Sequence, residues 1–480
     1  MWSNEPLLVN PTPVARETKF GYEAIEDKKR RKSPTAITLH EDRLLNESSR
    51  RKLSGTTQDL RRNYAIAAWM IRRHLDYVTQ FEYHARNDDD NLNDQLEELV
   101  RIQSRAANRD VTGRFTQQKM IRIAEACSVL DGDIGLSNLS SGHLQGIESD
   151  RIRTPATSAG SDEWYNGVRI NRAGRPLEYA IHKRIRGGQS FQFERTIPAR
   201  NFILHAKLDR FDQVRGVSPL TSSINDLVDV KENKTYALLK SKVSHLFGLV
   251  LHRDADDSPG EVTNTGAEGS ERNGFEVDFG RGPFQLDLGT DETAEFLQAN
   301  VPGSTFKDFH NLVLMVALKS LDLPYSFYDE GHTNFFGSRG SWMLYDRACV
   351  DKRNDVAETL RRVTIWDKVR WVLEGRLILP GKMTIADIRD EWVPTGMPWW
   401  DPAKEIRGDC MAIGAALDTP QRITKERGRG DVYENIDQIA KVQEYARLKG
   451  VKLSFDPGPE PMEIEVNNSP GSGNTAAESK

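Results

Sequence analysis

Cysteine is scarce in this chain. Its 480 residues hold three, Cys127, Cys349 and Cys410, far apart and without a Cys-x-x-Cys pair. That excludes a disulfide framework or a zinc knuckle and points to assembly in a reducing cytoplasm. Long apolar runs are missing too. None approaches the roughly 18 residues that span a bilayer, and the opening "MWSNEPLLVN" lacks the apolar centre of a signal peptide. Positive charge is not in excess: 66 Lys and Arg against 71 Asp and Glu leave a net charge of −5. A tight nucleic-acid binder shows the opposite balance. With 38% hydrophobic and 29% charged residues, the chain is soluble but unusually polar, as a large assembly with polar interfaces would be.

Catalytic and metal-binding patterns are also lacking. The ten histidines are scattered, with no His-Glu-x-x-His. His205 ends an apolar strand and reads as a packed histidine. Asp88-Asp89-Asp90 and the Asp254, Asp256, Asp257 group lie in loop text without the spacing of a calcium loop, so they read as solvated turns. "GRG" at 280–282 and "RGRGD" at 427–431 are too short for a dinucleotide fingerprint. "RGVSPL" at 215–220 follows an apparent strand, yet Pro219 and Leu220 stand where a nucleophile elbow needs small residues and a final Gly. Gly-Lys-Ser/Thr, the end of a phosphate loop, is absent as well. Ser218 is therefore expected to cap a helix with Pro219 at its first position, where a missing N–H costs nothing. No catalytic residue, metal site or cofactor is expected.

What is present is an ordered series of elements. The first 55 residues are polar, with the basic run Lys28 to Lys32, and read as an arm. Helical spacing starts near Leu60, with Tyr64, Ala67, Ala68, Ile71, Leu75 and Val78 on one face. Two more helices follow, "NLNDQLEELVRIQSRAA" and "FTQQKMIRIAEACSVL". Alternating stretches around "LQGIESDRIRTP", "GVRINRAGRPLEYAIHK" and "FQFERTIPARNFILHAKL" predict an antiparallel sheet or barrel, with Gly174 in a hairpin turn. A long polar helix is expected from Pro219, then short strands at 249–251, 275–279 and 284–288 in Gly- and Asp-rich text. A helix from Ser304 or Thr305, a Gly-studded loop, a long helix from about Ser341 towards Gly375 and a helical end complete the chain. Beyond Phe455 the Pro, Gly, Ser and Asn content predicts disorder.

Several stretches, in this order, resemble the lambda-like portal proteins of tailed bacteriophages. They are "RRNYAIAAW", "LQGIESDRI", "YAIHK…IPARNFILHAKLDRFDQVRGVSPL", "LDLPYSFY" with "NFFGSR", "DPAKE", "LDTPQRITKERGRGD" and "IAKVQEYARLKGV". The likeness spans roughly Leu60 to Val451. Where the family commonly has Asn-aromatic-Ser-Ser-x-Arg, Asn334, Phe335 and Arg339 match but Phe336-Gly337-Ser338 fill the middle.

The resemblance implies an α+β fold of the portal type. Its parts would be a flexible arm (1–55), an α/β wing (56–215), a stem helix (216–246), a small β clip (247–303) and a second stem helix (304–323). A tunnel loop (324–340), wing and crown helices (341–455) and a disordered tail (456–480) follow. It implies a ring, usually of about twelve copies, closed by repeated head-to-tail contacts at one capsid vertex. Double-stranded DNA would pass through the ring, with His332, Asn334, Phe335, Phe336 and Arg339 lining the channel. The implied partners are the large terminase subunit, the major capsid and scaffold proteins and a head–tail adaptor. Assembly would take place in the host bacterial cytoplasm and the product would sit in the virion. Three other readings compete: a serine hydrolase using Ser218, a nucleic-acid regulator using the basic arm, and another ring or scaffold protein of a capsid.

Overall fold

A computed structural model describes residues 46–158, 163–185, 190–246, 249–253, 292–296, 304–329, 335–396 and 401–453. Helix α1, Glu47–Asn63, starts where the Asn46 side chain accepts a hydrogen bond from the Ser49 N–H. Extended Tyr64 separates it from α2, Ala65–Val78. Strand β1 (Phe81–Ala85) leads to α3, Asp90–Gln103, whose N-cap is Asp89. Helix α4, Gln117–Asp131, is capped by Thr116 and ends at Gly132, whose φ of 91° is open to glycine at little cost.

Two antiparallel sheets follow. β2 (Asp133–Asn138) lies between β3 (Leu144–Glu148) and β8 (Phe202–Ala206). β4 (Trp164–Tyr165), β5 (Val168–Ile170), β6 (Pro176–Arg184) and β7 (Phe191–Pro198) form a meander in chain order. The β5–β6 turn contains Gly174 at φ 79°, as expected of that hairpin. The run read as continuous strand text to Leu208 is divided after Pro198 by a 3-10 turn, Ala199–Asn201, which passes the chain from one sheet to the other. Tyr179 of β6 stacks on Phe202 of β8 at 4.3 Å, and Ile147, Val168 and Ile181 fill the space around them.

A 3-10 turn, Pro219–Ser223, runs into α5, Ile224–Leu246. Strands β9 (Leu249–Arg253) and β10 (Glu292–Phe296) pair antiparallel; the stretches 275–279 and 284–288 expected as strands lie outside the described residues. Helix α6, Ser304–Leu318, packs on α5. Helix α7, Phe335–Leu373, has 39 residues and is about 58 Å long. β11 (Asp390–Pro394) returns to pair with β1, a two-stranded sheet that the strand patterns did not reveal. Helices α8 (Pro402–Gly414), α9 (Pro420–Glu426) and α10 (Val432–Lys449) end the described chain.

The main core joins α1, α2, α4, β2, α5, α6 and α7 through residues such as Leu60, Met70, Leu130, Leu136, Leu227, Leu314 and Leu360. A second cluster seats α3 on the end of α7 through Leu92, Leu96 and Trp371. Two boundaries differ from expectation. The first helix starts at Glu47, inside the stretch read as an arm, because Thr57 and Leu60 are buried and Asn46 supplies a cap. The long helix starts at Phe335 rather than near Ser341, so Gly337 and Gly340 lie in its first two turns and not in a loop. Glycine disfavours a helix interior by about 1 kcal/mol, and the packing of a 39-residue helix overrides that.

Candidate functional site

The stretch "RGVSPL" has structural work and no free nucleophile. Arg215 is buried and donates to both carboxylate oxygens of Asp133 at 2.7 and 2.8 Å. It also donates to the carbonyls of Ile152, Asn166 and Ser149. Arg50 of α1 and Ser149 bind the same carboxylate, and so does the Gly216 N–H at 2.9 Å. Burial by itself would raise the Asp133 carboxyl, yet Arg215 and Arg50 bring it down to about 2. Gly216 meets Gly132 backbone to backbone: a Cβ on Gly216 would sit 1.9 Å from the Gly132 carbonyl oxygen. The Ser218 hydroxyl accepts from the Leu220 N–H and donates to the Val129 carbonyl at 2.6 Å, so both of its roles are taken by backbone. Pro219 stands at the first helical position, as expected.

His205 is packed, as expected, in a buried polar cluster that sequence spacing did not reveal. Glu125 of α4 is hydrogen-bonded to His74 Nε2 of α2 at 2.6 Å and His205 Nε2 at 2.7 Å, and forms an ion pair with Lys207 Nζ at 3.0 Å. His205 Nδ1 lies 2.9 Å from the Thr359 hydroxyl of α7. Burial would raise Glu125, but Lys207 and the two histidines hold it well below the usual carboxylate range. Burial lowers His74, whose Nδ1 has no hydrogen-bond partner among the described residues. Periodicity reports which face of a helix is apolar and is silent on a charge inside it.

The segment 324–340, expected as a loop lining a channel, begins and ends in regular structure. Its first residues form the 3-10 turn Tyr325–Phe327, held by aromatic packing. Phe327 stacks on Tyr77 of α2 at 5.8 Å and meets Tyr345 of α7 edge-on at 5.3 Å, and Tyr328 meets Trp69 at 6.2 Å. Lys352 of α7 binds Asp322 at 2.7 Å and the Leu321 carbonyl at 3.0 Å, fixing the end of α6 to the long helix. Its last residues, from Phe335, are the start of α7 and not loop.

His332 and Asn334 lie outside the described residues. Phe335 and Phe336 form the first two positions of α7. Arg339 sits one turn further on and reaches Glu405 of α8, with Nη2 3.3 Å from Oε1 and the arginine side chain 40% exposed. Of the five expected residues, then, three share one helix start, and Arg339 has an acidic partner that no local motif announced. Among the described residues no group of His, Cys, Asp and Glu could hold a metal ion, and no helix is long and apolar enough to cross a membrane.

Comparison with known proteins matches residues 29–342 to the lambda family of phage portal proteins. A probable portal protein of Halomonas phage phiHAP-1 is 23% identical over 388 residues, which cover 75% of this chain and 72% of the relative. Among solved structures, a chain of the virion of a native gene transfer agent particle is 14% identical, covering 77% of this chain and 92% of its own, with a TM-score of 0.43. A chain from the neck of an empty gene transfer agent particle, with the same identity and coverages, has a TM-score of 0.44.

Proposed function

The chain belongs to the lambda family of phage portal proteins, and we propose that its copies close into a ring, about twelve subunits by head-to-tail contacts, at one vertex of the capsid. Double-stranded DNA passes inward through the ring during packaging and outward at ejection. The match over residues 29–342 carries this reading. In it the sheets formed by β2 to β8 and the helices α1 to α4 form the wing, α5 and α6 the stem, 247–303 the clip, and α8 to α10 the crown. His332, Asn334, Phe335, Phe336 and Arg339 face the DNA, Arg339 meeting phosphate oxygens without base readout. The ring docks the large terminase subunit on one side, the capsid and scaffold proteins around it, and a head–tail adaptor later.

Charge supports a conduit. Each phosphate that a protein neutralises adds counterion-release affinity, and a channel that gripped its cargo would stall it. A subunit with no excess of positive charge, net −5, suits a lumen that does not grip DNA. The role is structural rather than enzymatic: the hydroxyl of Ser218, the one serine in a nucleophile-like setting, is committed to backbone groups. Electron microscopy of the purified full-length protein tests the proposal directly. Closed rings with a central hole are expected; monomers alone, at micromolar concentration and at every salt concentration tried, would overturn it.

A further inference from the structure

Among the described residues, the last three helices have almost no apolar attachment to the rest of the chain. Of residues 401–453 only Ala446 is buried, and none belongs to any of the three apolar clusters. What connects them to the body is charge. Glu405 of α8, with its side chain 8% exposed, lies between Arg339 of α7 at 3.3 Å and Arg427 at 3.1 Å, and Arg427 also reaches Asp409 at 3.1 Å. A second set centres on Glu391 of β11, which pairs with Arg86 at 2.7 Å and with Lys425 of α9. Arg86 extends to Asp431 at 3.6 Å. Between the two sets the backbones of Gly396 and Gly428 touch: a Cβ on Gly428 would lie 1.8 Å from the Gly396 nitrogen.

We infer that residues 401–453 form an articulated module, pivoting at Gly396 and Gly428 and held by an ionic joint in which Glu405 positions the start of α7. Apolar contacts hold or tighten as salt is added, whereas an ion pair with a solvent-exposed partner weakens, and Arg339 and Lys425 are each 40% exposed. The joint therefore loosens with ionic strength while the core does not. Glu405 is its centre because it pairs with both Arg339 of α7 and Arg427 after α9: without its charge, Arg339 loses its carboxylate partner and Arg427 keeps only Asp409. Because Arg339 belongs to the first turns of α7, movement of α8 and α9 is felt there. This inference stands apart from the proposed function, since it needs neither a ring nor DNA.

Amide hydrogen exchange on the full-length protein tests it. Raising salt from about 0.05 to about 0.5 M should speed exchange at 339–346 and in α9 about two- to fivefold, the range of an ion pair with one solvent-exposed partner, and leave amides around Leu360 unchanged. Glu405→Gln should show the fast exchange already at low salt and lose most of the salt response, and Glu405→Asp should recover part of it. Arg339→Met removes only the α7 half of the joint, so it should loosen 339–346 and spare α9. Salt-independent exchange at both sites in the unaltered protein would overturn the inference. So would a Glu405→Gln protein, or an Arg339→Met protein should the first not fold, whose 339–346 amides behave as in the original.

Discussion

At the scale of single residues, the buried polar groups are joints. Ser218 closes the N-terminus of the turn leading into α5 and ties it to α4 through the Val129 carbonyl. Ser218→Ala should cost about 0.5–2 kcal/mol, read as a lower denaturant midpoint, and abolish no chemistry. Labelling of Ser218 by a serine-directed probe, with loss of an activity, would reverse that reading. The Glu125 cluster predicts acid lability. His74 is pushed below its ordinary 6.5 and Glu125 well below its ordinary 4.5. For both, the unfolded chain takes up protons first on acidification. Their stabilisation is thus present above those ordinary values and is lost as pH falls, first through His74 below 6.5 and then through Glu125 below 4.5. A denaturant midpoint that stays flat from about pH 7 to about pH 4, or that falls equally in a His74→Gln protein over the upper part of this range, would contradict it.

Among elements, α7 organises the molecule. It meets α2 and the aromatic turn near Tyr345, β8 and Glu125's network near Thr359, and α3 near Trp371. A chain segment that leaves Tyr328 and re-enters at Phe335 is therefore tethered at two rigid points. Removing Gly331 and His332 should leave rings intact, since neither tether is touched, and should impair packaging or retention of full-length genomes. Rings that fall apart, or genomes packaged and held normally, would assign this segment to packing instead of DNA passage.

For the whole molecule, the distribution of apolar surface demands neighbours. Tyr236, Leu238 and Leu239 of α5 and Phe309, Leu312 and Val316 of α6 are exposed in the single chain. So are Ile436, Ile439 and Val442 of α10. Isolated exposed apolar residues are ordinary, but runs along helices this long are a cost in water that a second copy would remove. Ring formation is thus expected to be spontaneous, without scaffold or DNA, and sedimentation of the purified chain should show one large species rather than a ladder of small ones.

How far the amino-acid sequence determined this protein depends on the range of the interaction concerned. Periodicity located α2, α3, α4 and the hairpin at Gly174, and the cap-plus-proline logic identified the role of Ser218, because each rests on neighbours within a few residues. Motif order carried the family, since it records a long stretch of chain at once, and the match covers residues 29–342. What lay beyond the sequence joins distant positions. Asp133 and Arg215, β1 and β11, Glu125 with His74 and His205, and Arg339 with Glu405 each pair residues separated by long stretches of chain. An isolated acid or base in helical text looks like a solvated face. Only the tertiary structure decides whether it is one, because desolvation and Coulomb attraction depend on distance in space and not on spacing along the chain.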